Sequence, residues 1–478
     1  MRKPSSAVSN VQWAATSQIG RVGIQLVSLV ILARLLPASD FGLLAMANIV
    51  TNFAMIIRDM GTGAAVIQRT TLSEELLDTV FWSNAAFGVI AGTLVALGSP
   101  LIAWAFREPA LGSILLLLAV AFPIGALGTT QLSLLERGGF FRTIAAVEIG
   151  SALVGAAVGI FAAWHGVGIL SLIAQTLVTT ILSGCCYWML SRWRPSLRWS
   201  KSEFAGLLHF SGNLVSFNII NYFSRNADAM IIGRVLGPLE LGLYNMAYRI
   251  MLFPLQNLTS VVNRAFFPIF SGKQEDKAAI GRNYLKLLRL INLLTAPLML
   301  GIWAVRDPFV LVILGPSWKD AAGIVAWLAP TGYLQSLAST SGAILMALGK
   351  TKLLRNLGVV CAFLYLSSFV IGARYGAVGV AQAYFFANIL TAAINLGATL
   401  LRVELTLVDL VRSLARPFLS AFIMAAVLIV AQNMGLSQVA PIPLLAILVP
   451  AGSIIYALLI AVLARHDVRE LVMLLARK

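Results

Sequence analysis

The chain is poor in charge, poor in acid and poor in the side chains that soluble enzymes use for chemistry. Of its 478 residues only 11% are Asp, Glu, Lys or Arg, against about 25% in a soluble domain. Apolar residues make up 59% and the mean hydropathy is +0.88. No interior of this size can hide that much apolar surface from water, so a water-soluble enzyme is excluded. The three cysteines, Cys185, Cys186 and Cys361, make neither a disulfide framework nor a CxxC pair. The three histidines, His165, His209 and His466, are too scattered to suggest a metal site. Met1 to Asn10 lacks the apolar core and small-residue cleavage site of a signal peptide, so the first apolar segment is expected to stay in the mature protein.

What the chain has instead is long apolar runs. They fall at about 11–36, 41–57, 79–105, 111–134, 143–163, 166–190, 210–233, 241–266, 284–305, 321–347, 356–373, 376–401, 416–433 and 441–464. A transmembrane helix takes about 20 residues, so fourteen of them leave no room for a soluble catalytic domain of ~100 residues. The expected class is an all-α, polytopic membrane protein, and an even span count puts both termini on one side.

The formal charge of +16 would raise nucleic acid as a partner in a soluble protein. Here its distribution explains it without one. With the N-terminus inside, 25 of the 35 basic residues fall in inside loops and tails, and six (Arg34, Arg107, Arg234, Arg306, Lys319, Arg374) in outside turns. That asymmetry places both termini in the cytoplasm. Four basic residues remain within spans: Arg21, Arg225, Arg249 and Arg264.

The sequence repeats itself. RLLPASDFGLLAMA at 34–47 matches RVLGPLELGLYNMA at 234–247 without a gap, at an offset of 200 residues. Arg34/Arg234, Leu36/Leu236, Gly42/Gly242, Leu43/Leu243, Met46/Met246 and Ala47/Ala247 are identical, and Asp40/Glu240 keep the charge. Upstream, Gln18, Arg21, Gln25 and Ser28 align with Asn218, Asn221, Arg225 and Asp228. A second echo pairs Val167-Gly168-Ile169 with Val378-Gly379-Val380. Six spans separate the copies, and an even number preserves orientation. The expectation is two six-helix lobes related by a parallel pseudo-twofold repeat, plus a terminal helix pair. The corresponding boundaries are 1–200, 201–410 and 411–478.

Gln18, Arg21, Gln25 and Ser28 share one helix face, and Asn218, Asn221, Arg225 and Asp228 repeat that spacing. Asn48, Asn52 and Asp59 mark the second span; Asn245, Arg249, Gln256, Ser260 and Asn263 mark the eighth. A charge at mid-membrane costs several kcal/mol unless it faces water or a partner. These faces are therefore expected to line one hydrated cavity. A second reading, that they only hold helices together, covers Asn and Ser and an Arg225–Asp228 pair one turn apart. It fits Arg21 and Arg249 less well, because neither has an acid three or four residues away. Arginines without an acid at mid-membrane point to an anionic ligand, and guanidinium suits phosphate oxygens. Asp59, Glu148 and Asp228 are the candidates for coupling to H⁺ or Na⁺, with a salt-bridged or interfacial acid as the alternative for each.

Other motifs fail. Gly349-Lys350-Thr351 lacks the glycine that a phosphate-binding loop needs at 344, where Ile344 stands. No DxD pair exists for a metal-bound nucleotide sugar, and Asn257-Leu258-Thr259 lies within an apolar span. Gly88/Gly92 and Gly155/Gly159 have the GxxxG spacing of close helix packing. No cofactor or metal is expected.

The stretch SQIGRVGIQLVSLVILARLLPASDFGLLAMANIV resembles the polysaccharide transporter (Wzx-like flippase) family of the multidrug/oligosaccharidyl-lipid/polysaccharide exporter superfamily. So do Leu135-Glu136-Arg137 followed by Phe141-Arg142, Ala347-Leu348-Gly349-Lys350, and Gly376-Ala377-Val378-Gly379-Val380-Ala381. The resemblance covers nearly the whole chain. It implies a V-shaped, two-lobed, alternating-access transporter in the bacterial inner membrane, not an enzyme. The implied substrate is an oligosaccharide on undecaprenyl pyrophosphate, exported for exopolysaccharide or lipopolysaccharide synthesis. Membrane lipids and the pathway's polymerase and chain-length proteins are the implied partners. The diphosphate-binding role falls on Arg21, Arg225 and Arg249. A lipid II flippase would carry a basic doublet or acid–base neighbour early in span 1, where Arg21 stands between Gly20 and Val22. A drug exporter of the superfamily would favour acids over Arg on the polar faces. An integral glycosyltransferase or polymerase would need a long outside loop, and the longest here, about 306–320, is short.

Overall fold

A computed structural model shows helices joined by short turns, with no strand among the described residues. Those residues are 7–59, 66–67, 69, 72–252, 255, 276–434 and 439–463; the side chains of 7, 8, 57, 59, 206–221, 224 and 277 lie outside the description. By internal contacts the chain forms two compact units, Met1–Gly242 and Leu243–Lys478.

The first unit holds α1 (Ala7–Leu35), α2 (Ala38–Asp59), α3 (Glu74–Phe106) and α4 (Ala110–Ala119). It continues with α5 (Ala121–Arg137), α6 (Phe141–Trp164), α7 (Leu170–Leu190) and α8 (Lys201–Leu236). A helix at 238–252, α9, follows. The second unit continues with α10 (Lys277–Ala304), α11 (Arg306–Ile313), α12 (Ala321–Ala347) and α13 (Thr351–Gly372). It ends with α14 (Gly376–Leu400), α15 (Leu407–Met434) and α16 (Pro441–Leu463). Ten described stretches are long and apolar enough to cross a membrane, one of which, Thr351–Leu400, contains both α13 and α14. The chain is a multi-pass membrane protein. Leu97, Trp104, Phe161 and Phe363 stand exposed on it, as lipid-facing side chains do.

Local chemistry sets the helix ends. Pro37 separates α1 from α2, since it has no N–H to continue a helix ladder. Ser73 caps α3, its Oγ accepting from Leu76 N at 3.1 Å. The apolar run at 111–134 is not one helix: it breaks at Val120, three residues before Pro123. The proline cannot donate to the carbonyl of Ala119, and α3 packs against that point. A Cβ on Gly92 would lie 2.8 Å from the Ala119 carbonyl oxygen. The GxxxG pairs are close-packing points: a Cβ on Gly88 would lie 2.5 Å from Ala126 Cβ, and one on Gly155 2.0 Å from Thr179 Oγ1. In a lipid solvent such small-residue contacts supply much of the attraction between helices.

Two regions differ from the sequence expectation. The connection at 306–320 contains α11 and a short 3-10 turn, Pro316–Trp318, whose Trp318 is fully buried. The helix expected from 210 begins at Lys201, and it packs on α2 and α3. By internal contacts the two compact units divide at Gly242.

The repeat has a physical counterpart inside the first unit. Both copies turn at the same place, α1 ending at Leu35 and α8 at Leu236. The starts of the two following helices then cross. A Cβ on Gly42 would lie 1.7 Å from the Pro238 carbonyl oxygen, and one on Gly242 1.9 Å from that of Ala38. Ala38 and Pro238 match at the same offset, so the contact is reciprocal.

In the second unit α10 packs against α12 and α15, with α16 against α15. Polar groups buried there are paired. Asn292 donates to the Leu414 carbonyl at 2.8 Å and accepts from the Tyr333 hydroxyl at 3.0 Å. Thr295 and Ser336 meet at 3.0 Å.

Candidate functional site

The polar face of α1 is tied to α6 and α7. Arg21 Nη1 lies 3.3 Å from Glu148 Oε1, and Nη2 donates to Gln18 Oε1 at 2.7 Å. Ser17, buried, donates to the other Glu148 oxygen. About two turns beyond Arg21, buried Ser28 accepts from Gln175 Nε2 at 3.2 Å. The expectation that Arg21 lacks an acid is thus corrected. Its partner comes from another helix, 127 residues away, which no scan of one helix face detects. The Arg21 side chain is still 44% exposed, against 21% for Glu148. Glu148 and Gln18 fix the guanidinium in place, and a guanidinium has five N–H donors, so it can still bind an anion. Gln25 is exposed on the same helix.

Asn48 and Asn52 line a recess of about 350 Å³ among α2, α5 and α7. Arg58, Thr129, Thr176 and Thr180 line it too. Gly125 leaves room for the Arg58 guanidinium, since a Cβ there would lie 2.9 Å from Nη1. Thr176 and Thr180 donate their hydroxyl protons to carbonyls four residues back, at 3.0 and 2.9 Å. Their oxygens therefore remain acceptors, while Asn48, Asn52 and Arg58 bring donors. The set suits an oxygen-rich ligand. Arg58, counted by sequence among inside loop residues, belongs to the last turn of α2. The signal that could have found this wall was Thr176, Thr179, Thr180 and Ser183, at helical spacing along α7.

In the second copy, Arg225 is exposed and Asp228 is 8% exposed, its Oδ1 accepting from Ala229 N at 2.8 Å. Tyr222, three residues before Arg225, donates to the Ile49 carbonyl at 2.6 Å. On α9, Asn245 is half-buried and Arg249 exposed. The side chains of Asp59, Asn218 and Asn221, and all of Gln256, Ser260, Asn263 and Arg264, lie outside the described residues. No cluster of metal-ligating side chains occurs among the described residues.

Comparison with known proteins places this architecture. The profile of a family described as "Polysaccharide biosynthesis protein" matches residues 31–323. The teichuronic acid biosynthesis protein TuaB of Bacillus subtilis (strain 168) is 29% identical over 461 residues, 95% of each chain. The lipopolysaccharide biosynthesis protein WzxC of Escherichia coli (strain K12) is 28% identical over 388 residues, 80% of this chain and 78% of that one. The succinoglycan biosynthesis transport protein ExoT of Rhizobium meliloti (strain 1021) is 27% identical over 474 residues, 98% of this chain and 96% of that one. Among solved structures, the lipid II flippase MurJ in an inward closed conformation superposes with a TM-score of 0.73 at 15% identity, covering 96% of this chain and 100% of that one. At that identity the likeness is one of fold.

Proposed function

The chain belongs to the polysaccharide biosynthesis protein family, and from that premise we propose that it is a flippase that moves a lipid-linked oligosaccharide repeat unit across a bacterial inner membrane. Both termini lie in the cytoplasm on this reading, which rests on the excess of basic residues in alternate loops. The substrate is an oligosaccharide on a polyprenyl diphosphate such as undecaprenyl pyrophosphate, destined for exopolysaccharide or lipopolysaccharide. The pathway's polymerase and chain-length proteins are its neighbours.

The observation that carries the reading is Arg21, held by Glu148 and Gln18 at membrane depth yet 44% exposed. A guanidinium fixed in this way is prepared for a diphosphate. Arg225 and Arg249, both exposed within apolar helices, supply further charge. The recess of Asn48, Asn52, Arg58 and the α7 threonines takes sugar hydroxyls. Asp228 and Asp59 remain the candidates for ion coupling, and Glu148 serves to position Arg21.

The test is polysaccharide export in cells that depend on this protein, with its membrane level measured. A charge-assisted bond from Arg to phosphate contributes about 1.5–3 kcal/mol, so Arg21→Ala, Arg225→Ala or Arg249→Ala should each lower export roughly 10- to 100-fold. Lysine loses the two-pronged fork and should rescue only in part. Normal export by all three well-expressed Ala variants would overturn the assignment of the arginines. Rescue of a poorly expressed Arg225→Ala by a second change at Asp228 would leave Arg225 a structural role only.

A further inference from the structure

Residues 191–200 join α7 to α8 as a strap without helix, and hydrogen bonds pin it to the start of α3. Ser196 N donates to Asp78 Oδ1 at 2.8 Å, and the Ser196 hydroxyl donates to the other Asp78 oxygen. Trp82 Nε1 donates to the Ser196 carbonyl at 2.8 Å, and Ser200 N donates to Thr79 Oγ1 at 3.1 Å. Arg194 Nη1 braces the strap from within, donating to the carbonyls of Ser191 and Trp193 at 2.6 and 2.9 Å. The backbone is held, yet several side chains point away from the protein. Leu197 is 90% exposed and Trp199 47%. Arg192, Arg198 and Lys201, the first residue of α8, are exposed as well. The strap holds three arginines and no acid. Glu74 and Glu75 open α3 nearby, where the helix dipole favours them. Arg198 lies 3.6 Å from Glu74, but both side chains are mostly exposed, so that pair contributes little.

We infer that the strap is a membrane-surface anchor selective for anionic phospholipid headgroups, with Leu197 and Trp199 set into the headgroup layer and Arg192, Arg198 and Lys201 on its phosphates. Three observations fix its depth. Trp104, 74% exposed in the last turn of α3, marks one interface. A hydrocarbon core of about 30 Å takes roughly 20 residues at 1.5 Å each, which brings α3 to the opposite interface near Asn84. Asp78, Thr79 and Trp82, which hold the strap, therefore lie just beyond the hydrocarbon. The membrane-capable stretch of α7 ends at Leu190, directly before the strap, and Met189 is 80% exposed. Four of the ten tryptophans gather at this end: Trp82, Trp188 and Trp193 are in ring contact with Phe81, and Trp199 lies against Phe204. Such a cluster belongs at headgroup level. An acidic protein would match the charge, but this depth and the bare Leu197 favour lipid. The inference does not depend on the proposed transport.

The test is tryptophan quenching of the full-length protein in vesicles. Phosphatidylglycerol or phosphatidylcholine carries a nitroxide near the headgroup end of one acyl chain, and the other lipid forms the background. The difference between the native chain and Trp199→Phe isolates Trp199. Both labelled lipids should quench it, phosphatidylglycerol with a relative affinity at least roughly 5-fold higher, the worth of one basic side chain at an anionic surface. Arg192→Gln, Arg198→Gln and Lys201→Gln together should bring the two lipids level. So should about 1 M salt, which screens charges beyond about 3 Å and needs no variant. Leu197→Asn should weaken quenching by both lipids a few-fold and leave their ratio unchanged. Trp199 unquenched by either lipid would place the strap in water, fit for a protein partner instead, and would overturn the inference. Equal quenching by the two lipids at low salt, or a preference that survives both salt and loss of the three charges, would overturn it too.

Discussion

Residues 34–47 and 234–247 are two copies of one segment, and what they share differs in kind from what they do not. The identical glycines, methionines and alanines are structural. Met46 and Ala47 are fully buried, and their counterparts Met246 and Ala247 are 3% and 1% exposed. Gly42 and Gly242 are the points where Pro238 and Ala38 approach most closely. Upstream, the copies keep burial but change chemistry: Ser28 and its counterpart Asp228 are both buried, while Gln25 and Arg225 are both exposed. Arg21 is matched by Asn221. Duplication has kept the packing and left the polar face free to diverge. On the proposed function, the unmatched positions are where the ligand-specific role belongs.

The comparison breaks most severely at the glycines. A methyl group at Gly42 or Gly242 would fall within 2 Å of a backbone oxygen, and backbone cannot swing aside as a flexible side chain can. Gly42→Ala or Gly242→Ala should each cost about 3 kcal/mol or more, and each should sharply lower the amount of folded protein. Gly23→Ala, with nothing within 4 Å of the added carbon, should be neutral or slightly stabilising. Thermal unfolding in detergent and membrane yield read both effects. Equal loss in the two copies is the signature of a reciprocal contact; loss in only one would mean that the copies are not equivalent.

A smaller effect separates the polar faces. Glu148 belongs to no copy of the 34–47 repeat, yet it fixes Arg21. Glu148→Ala should lower export about 10-fold, the equivalent of one charge-assisted bond. Glu148→Gln still accepts from Ser17 and Arg21 and should recover part of the loss. A purely structural carboxylate would lower protein level in proportion to export, so export per molecule decides.

Much of this architecture could be read from the sequence, because lipid-facing helices advertise themselves. The apolar runs, the offset of 200 residues and the GxxxG pairs each correspond to something physical. What could not be read was pairing between distant helices. Arg21 has no acid within a turn of its own helix, and Glu148 sits four spans downstream. The proline break at Val120 was hidden because hydropathy averages over Pro123. The wall of threonines on α7 was visible as a stripe, but nothing in the sequence says that Arg58 reaches Gly125 across from it.

The smallest predicted change is a gain. Gln131 on α5 is fully buried, and neither its carbonyl nor its amide nitrogen has a hydrogen-bond partner. Asn292 in the second unit is equally buried but is satisfied by Leu414 and Tyr333. Two buried amides, one paired and one not, should therefore respond in opposite directions to an apolar substitution of similar volume. Gln131→Leu removes a desolvated orphan group and should raise stability by about 1 kcal/mol, since an unsatisfied buried polar group costs ~1–3 kcal/mol. The lower end applies because a helix separated from its partners within the membrane also finds some of its hydrogen bonds. Asn292→Leu leaves the Leu414 carbonyl and the Tyr333 hydroxyl without their partner and should lose about as much. Unfolding midpoints in one detergent measure both. If Gln131→Leu is destabilising by a similar amount, Gln131 has a partner after all, and the contrast between the two amides disappears.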